Sequence, residues 1–299
     1  MPDSTLSNPN MTASPKPPKA VHDPRLVALG RMLFSAFGAV CPAAGAWLAE
    51  RAFVMPRRID APSHEQQIRD AATHSFRVPF DGMALDALRW EGSGPTVLLA
   101  HGWEGRGTQL GRFVAPLLAA GYNVVAFDGP AHGRSPGKET ELLHFGRVFA
   151  AMREAVGPID AVIAHSFGAA ACAMALSTGQ FTTNRLVMIG SPARLMYPMG
   201  QFREILQIPE NIWLRFLARM ERRMGIKAEA LDLAHMAVHL TVPCLIIHCR
   251  DDTEVTYDNA LRIHAAWPDA QFISTDGLGH RRILKDPDVI HATLEFLRA

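Results

Sequence analysis

The segment Ile159-Asp160-Ala161-Val162-Ile163-Ala164-His165-Ser166-Phe167-Gly168, continuing as Ala169-Ala170-Ala171-Cys172-Ala173-Met174, decides the fold. An apolar run, Ile159 to Ala164, is followed by a turn and then by a stretch of alanines suited to a helix. Ala164-His165-Ser166-Phe167-Gly168 matches G-x-S-x-G with alanine in the first place, and small residues on both sides let the backbone turn sharply enough to expose the serine. A strand, a tight turn and a helix in that order are the elements of a parallel βα unit.

Working outward, other apolar runs read as strands: Thr96 to Ala100, Tyr122 to Phe127, Arg185 to Ile189, Val242 to His248 and Ala270 to Ser274. Helical patterns fall between most of them, near Gln109 to Ala120, Glu141 to Val156, Phe167 to Ser177, Tyr257 to Trp267 and Asp286 to Leu297. Strands apolar on both faces and separated by helices predict a parallel sheet covered on each side, with chemistry at the carboxyl ends of the strands. Upstream, His74 to Phe80 and Met83 to Trp90 read as a hairpin joined at Asp81-Gly82.

Residues 191–241 form a connection too long for a simple crossover. Trp213, Phe216, Leu217 and Met220 recur there at helical spacing, which predicts a helical cap inserted into the sheet domain. Its apolar stripe, turned toward the domain beneath, reads either as a roof that would favour an uncharged acyl or aromatic substrate or as the cap's own core. The expected organisation is a disordered tail over 1–24, a helical segment over 25–73, a core over 74–190 and 242–299, and the cap. The tail reading rests on six prolines and almost no large apolar side chains in the first 24 residues.

Composition bounds the function. Hydrophobic residues make up 48% of the 299, enough for a sizeable core, and the net charge of +1 supplies no field to recruit nucleic acid. Four scattered cysteines, Cys41, Cys172, Cys244 and Cys249, do not make a disulfide framework, so a reduced, cytoplasmic setting is expected. The apolar stretch from Met32 to Ala49 is interrupted by Pro42 and diluted by Gly38 and Gly45. It reads as two packed helices rather than a signal sequence, an anchor or a stable membrane span, which needs about 20 apolar residues.

A serine hydroxyl needs a base to take its proton and a third group to hold that base. Downstream of Ser166, strand Val242 to His248 runs into Cys249-Arg250-Asp251-Asp252-Thr253-Glu254-Val255. Strand Ala270 to Ser274 runs into Asp276-Gly277-Leu278-Gly279-His280, where two glycines let a loop project a histidine. The order serine, aspartate, histidine is one in which such a triad occurs. Asp232, His235 and His239 share a helix face by spacing, but the glutamate of H-E-x-x-H is absent, so no metal role is assigned.

From about residue 74 to the C-terminus the chain resembles the α/β-hydrolase superfamily, in its branch with a helical cap. The resemblance implies a mostly parallel sheet flanked by helices, a Ser166-His280-Asp252 triad and an acyl-enzyme mechanism that needs no cofactor. Asp252 is preferred to Asp251 because, with Val255, it fits the family's Asp-x-x-Val stretch. His101-Gly102-Trp103 resembles the family's oxyanion loop, which would pair the backbone N–H of Trp103 with that of Phe167. Asp128-Gly129-Pro130-Ala131-His132-Gly133-Arg134-Ser135 resembles a turn that is structural in the family, so Asp128 and His132 stay outside the mechanism. Glu104 and Arg106 lie in the same loop as Trp103 and read as exposed loop charges or, alternatively, as substrate contacts.

The expected activity is therefore hydrolysis of a carboxylic ester of a small molecule. An aminopeptidase or amidase would use the same triad, with Glu204, Glu210, Glu221 or Glu229 holding a substrate amine. An acyltransferase would use it while excluding water, and a non-catalytic binding protein would lack one of its members.

Overall fold

The computed structural model describes residues 23–238, 240–267 and 269–299. In chain order the helices and strands are α1 (Pro24–Val40), α2 (Pro42–Val54), α3 (Ser63–Asp70), β1 (His74–Phe80), β2 (Met83–Trp90), β3 (Thr96–Ala100), α4 (Val114–Ala119), β4 (Asn123–Phe127), α5 (Leu142–Val156), β5 (Ala161–His165), α6 (Phe167–Ser177), β6 (Arg185–Ile189), α7 (Met196–Leu206), α8 (Glu210–Met224), α9 (Leu233–Ala237), β7 (Cys244–Cys249), α10 (Asp258–Ala266), β8 (Gln271–Thr275), α11 (Gly279–Arg282) and α12 (Pro287–Arg298). The tail expected over the first residues, up to 22, and His239 of the histidine constellation lie outside the described residues.

Two compact units are present, one built from Pro56–Ala193 and Leu233–Ala299, the other from α1 and α2 through Met55 with Arg194–Asp232. The first holds one eight-stranded sheet in the order β1-β2-β4-β3-β5-β6-β7-β8. β1, β2 and β4 pair antiparallel, and every pairing from β4 through β3 to β8 is parallel. The sheet is thus the α/β architecture expected, mostly parallel and flanked by helices. Every residue of β3, β5 and β7 is buried, as helices on both faces of a parallel sheet require. Each large apolar side chain so removed from water contributes roughly 1.5–3 kcal/mol.

From β3 the chain moves to β4 on one side, then returns to β5 on the other, so the sheet reverses its order between β3 and β5. At such a switch point the loops leaving the two strands diverge and open a crevice. Ala100 pairs with Ala164, which brings the start of the His101 loop level with His165 and Ser166.

In the second unit α2 packs on α8, and α1 on α2, α7 and α8. Gly45 allows the closest approach, since a Cβ there would meet the Ile212 side chain. Glu50 is buried on α2 and accepts from Arg219 Nε at 2.5 Å and Arg223 Nη1 at 3.1 Å. The stripe, for which the sequence left open a roof or the cap's own core, is packed inside this unit. Trp213, Phe216 and Met220 are buried, and the Phe216 ring stands 5.7 Å from Phe53 and 5.9 Å from Phe202. It fills its own core, so it no longer argues for an apolar substrate.

Candidate active site

Ser166 ends β5 and precedes α6 with φ 51° and ψ −120°, a conformation strained for any residue with a Cβ. Its N–H donates to the Ile189 carbonyl at 2.8 Å, so the strained turn is held by the neighbouring strand. Gly168 is required two residues later, because a Cβ there would collide with the His101 carbonyl oxygen. Gly102 likewise passes so close that a Cβ would lie 2.9 Å from His165 Nδ1 and 3.1 Å from Ser166 Cβ. The loop after β3 and the turn after β5 therefore meet backbone to backbone.

Phe167 opens α6, and the first N–H groups of a helix have no carbonyl of their own helix to bond. Among the described residues, neither its N–H nor that of Trp103 is paired with an acceptor. The two rings stand edge to face at 5.1 Å, and Trp103 meets His132 in the same way at 5.3 Å. Both residues are half-buried.

The carboxyl ends of β7 and β8 supply the other groups. His280 Nδ1 lies 2.7 Å from Asp252 Oδ2, and both residues are buried. A carboxylate can only accept, so Nδ1 carries the hydrogen and the Nε2 lone pair is left bare, the tautomer a general base needs. Asp252 Oδ1 accepts from the N–H groups of Glu254 and Val255, each at 2.9 Å. Burial alone would raise the Asp252 pKa. The contacts with His248 and His280 and the Val255 N–H outweigh burial and hold it well below the usual carboxylate range.

Asp251, its neighbour, turns the other way and accepts from the Gly277 N–H at 2.5 Å, tying the two loops together. The structure brings Asp252, and not Asp251, to the imidazole. Sequence reasoning did not single out Gly190, which follows β6 with φ 61°; a Cβ there would stand 3.2 Å from His280 Nδ1 and 3.6 Å from Asp252 Oδ2. A glycine directly after an apolar strand was the available signal.

Four further histidines surround the site. His248 Nε2 donates to the Val255 carbonyl at 2.8 Å and lies 3.5 Å from Asp252 Oδ2. His165 Nε2 donates to the His280 carbonyl at 3.0 Å. His101 Nδ1 donates to the Gly102 carbonyl at 2.7 Å, while its Nε2 accepts the Gly129 N–H at 2.9 Å. Burial pushes the His101 pKa down to about 4, that of His132 to about 3, and that of His165 well below its ordinary value. His101, His132 and His165 are neutral imidazoles built into the scaffold.

Glu104 and Arg106 are engaged within the protein. Glu104 accepts from Arg57 Nε at 2.8 Å and Arg57 Nη2 at 2.7 Å, and Arg106 Nε donates to Glu65 at 2.6 Å. Thr108 adds a hydroxyl bond to Glu65 at 3.0 Å. These charges hold the loop after β3 against residues 57–65, a structural task, where the sequence left open exposed loop charges or a substrate contact. Asp128 accepts from the N–H groups of Gly107 and Arg134 at 2.6 and 2.7 Å, which makes its turn a structural brace. Asp232 is buried and bridges Arg194 by backbone pairing, and no cluster of metal-binding side chains occurs among the described residues.

The model of the alpha/beta hydrolase family matches residues 97–293, about two thirds of the chain. This chain belongs to the α/β-hydrolase family. No curated protein matches it by sequence. Among solved structures, this family member is similar to the esterase Pf2001 of Pyrococcus furiosus, with 22% identity over 82% of this chain and 97% of that one and a TM-score of 0.62. An esterase from Exiguobacterium antarcticum matches at 15% identity over 76% and 100%, TM-score 0.59. A bromoperoxidase from Bacillus anthracis matches at 18% over 76% and 100%, TM-score 0.58. These likenesses are of fold, and the different reactions in their names show why the reaction must be argued from the side chains.

Proposed function

We propose that this α/β-hydrolase family member is a serine hydrolase that cleaves a carboxylic ester of a small molecule through an acyl-enzyme on Ser166. The observation that carries the reading is the strained Ser166 turn at one strand end, with the His280–Asp252 pair at the ends of two strands of the same sheet. Ser166 Oγ attacks the ester carbonyl carbon while His280 Nε2 takes its proton. The developing oxyanion is held by the N–H groups of Trp103 and Phe167, each such donor contributing about 2.7–4 kcal/mol to the transition state.

As the tetrahedral adduct collapses, the C–O bond to the alcohol breaks and His280 returns the proton to the leaving oxygen. Water then attacks the acyl-enzyme, giving its proton to His280, and the acid leaves as Ser166 Oγ is reprotonated. Asp252 stays ionised throughout and stabilises the imidazolium. Every step uses this chain's own groups and calls on no cofactor.

Labelling with a fluorophosphonate followed by peptide mapping tests the assignment, with turnover of matched esters and amides measured alongside. Modification confined to Ser166, abolished in Ser166→Ala, is expected, with esters turned over faster than amides. Full activity in Ser166→Ala, or labelling elsewhere, overturns the mechanism. Faster amide turnover, or acyl transfer to an added alcohol in preference to water, would replace ester hydrolysis by one of the related reactions.

A further inference from the structure

Helix α1 leaves one of its apolar faces unpacked. Phe34 is buried, Gly30 lies against Leu206 and Gly38 against Pro209, so one side of the helix is spent on α7 and the start of α8. Leu26, Leu29, Leu33, Ala36 and Val40 recur at intervals of three and four, which aligns them along one side of a helix. All are exposed, with Leu26 at 61%, Val40 at 85% and the adjoining Met32 at 63%. At 1.5 Å per residue the row from Leu26 to Val40 runs about 21 Å. A monomer in water gains nothing from such a row, which marks a surface that something else covers.

The charges select the occupant. From Pro24 to Ala49 the sequence contains no acidic residue. Arg25 stands beside the apolar row and is exposed, while Arg31 lies on the opposite side of the helix, where its Nε donates to the Ile205 carbonyl at 2.9 Å. Asp23 is engaged as the N-cap of α1, and Glu50 on α2 is buried and neutralised by Arg219 and Arg223. On α2, Trp47 is 53% exposed with the Arg51 guanidinium 5.9 Å from its ring centroid. An amphipathic helix with exposed leucines, an arginine at its margin and an exposed tryptophan on the next helix suits the headgroup boundary of a bilayer containing anionic lipid. No helix among the described residues is long and apolar enough to cross a membrane, so the contact is in the plane of the surface.

We propose that α1 docks the protein on anionic phospholipid surfaces, laying the Leu26–Val40 row into the headgroup region with Arg25 against lipid phosphates. This reading is independent of the reaction at Ser166.

Co-sedimentation of the full chain with phosphatidylcholine vesicles, with and without phosphatidylglycerol, tests it. Expected are binding that requires the anionic lipid and weakens with added salt, and an affinity roughly tenfold or more lower in Leu29→Ser/Leu33→Ser. Arg25→Glu, at an exposed position in the first turn, should lower affinity for anionic vesicles while leaving the unfolding temperature unchanged. Far-UV circular dichroism of the double variant confirms that it folds. No vesicle binding by the native chain, or equal binding by native and double-variant proteins, overturns the proposal. A dimer in sedimentation velocity that the same double substitution dissociates would overturn it in favour of self-association.

Discussion

His165 Nε2 donates to the backbone carbonyl of His280 at 3.0 Å, and the two rings lie with centroids 4.6 Å apart. The residue next to the proposed nucleophile thus holds the main chain of the proposed base. Because Nε2 carries the hydrogen, Nδ1 is bare, and it is buried without a hydrogen-bond partner among the described residues. A second imidazolium beside His280 would oppose the one proposed to form in turnover, and burial, with His280 adding to it, keeps His165 neutral.

His165→Phe keeps the ring packing and deletes the donor, leaving the His280 carbonyl without it. Such a loss typically costs about 1–3 kcal/mol, so kcat on a soluble ester should fall roughly tenfold with KM little changed. His165→Gln, which restores an N–H donor, should recover much of the loss. Steady-state kinetics that find the phenylalanine variant as fast as the native protein would refute this positioning role.

The two aspartates should separate sharply. Asp252→Asn keeps shape but lets the wrong imidazole tautomer form, and a loss of ~10⁴-fold in kcat is expected. Asp251→Asn keeps an oxygen that can accept the Gly277 N–H and removes only the charge from that bond, so it should slow turnover by severalfold at most. Kinetics of the purified pair decide it, and comparable losses would mean that Asp252 is not the orienting acid.

Gly190→Ala places a methyl group 3.2 Å from His280 Nδ1 at a position with φ 61°, where a Cβ costs about 1–2 kcal/mol. A lower unfolding temperature and a reduced kcat at nearly constant KM are expected. Differential scanning fluorimetry and kinetics on the same preparation check both, and a variant unchanged in each would show that His280 is not confined from this side.

Acid should destabilise the fold before carboxylates titrate. His101 and His132 have native pKa values of about 4 and about 3 against an ordinary 6.5, so between those limits the unfolded chain binds more protons. Their contribution is fully present above pH 6.5 and is lost as the pH falls toward 4, on the order of 3 kcal/mol for His101 alone. Asp252, held below its ordinary range, adds a further loss below about pH 4. Urea unfolding at pH 7, 6 and 5 should show stability falling across the series; a flat profile would mean these histidines are not buried neutral.

Strand and helix order, the parallel sheet and the turn at Ser166 were legible in the sequence because they follow from local patterns. Apolar runs such as Leu98 and Ile163 with their neighbours mark strands buried on both faces, and small residues around Ser166 mark the turn. Only the tertiary structure decided which of two adjacent carboxylates meets His280, since Asp251 and Asp252 differ by a single step of chain and the direction each takes is set by hydrogen bonds from distant loops. It likewise turned Glu104 and Arg106 into braces through partners some 40 residues away, and packed the Trp213–Met220 stripe into its own unit through Phe53. Local pattern states what a residue can do; the partner that long-range packing delivers decides what it does.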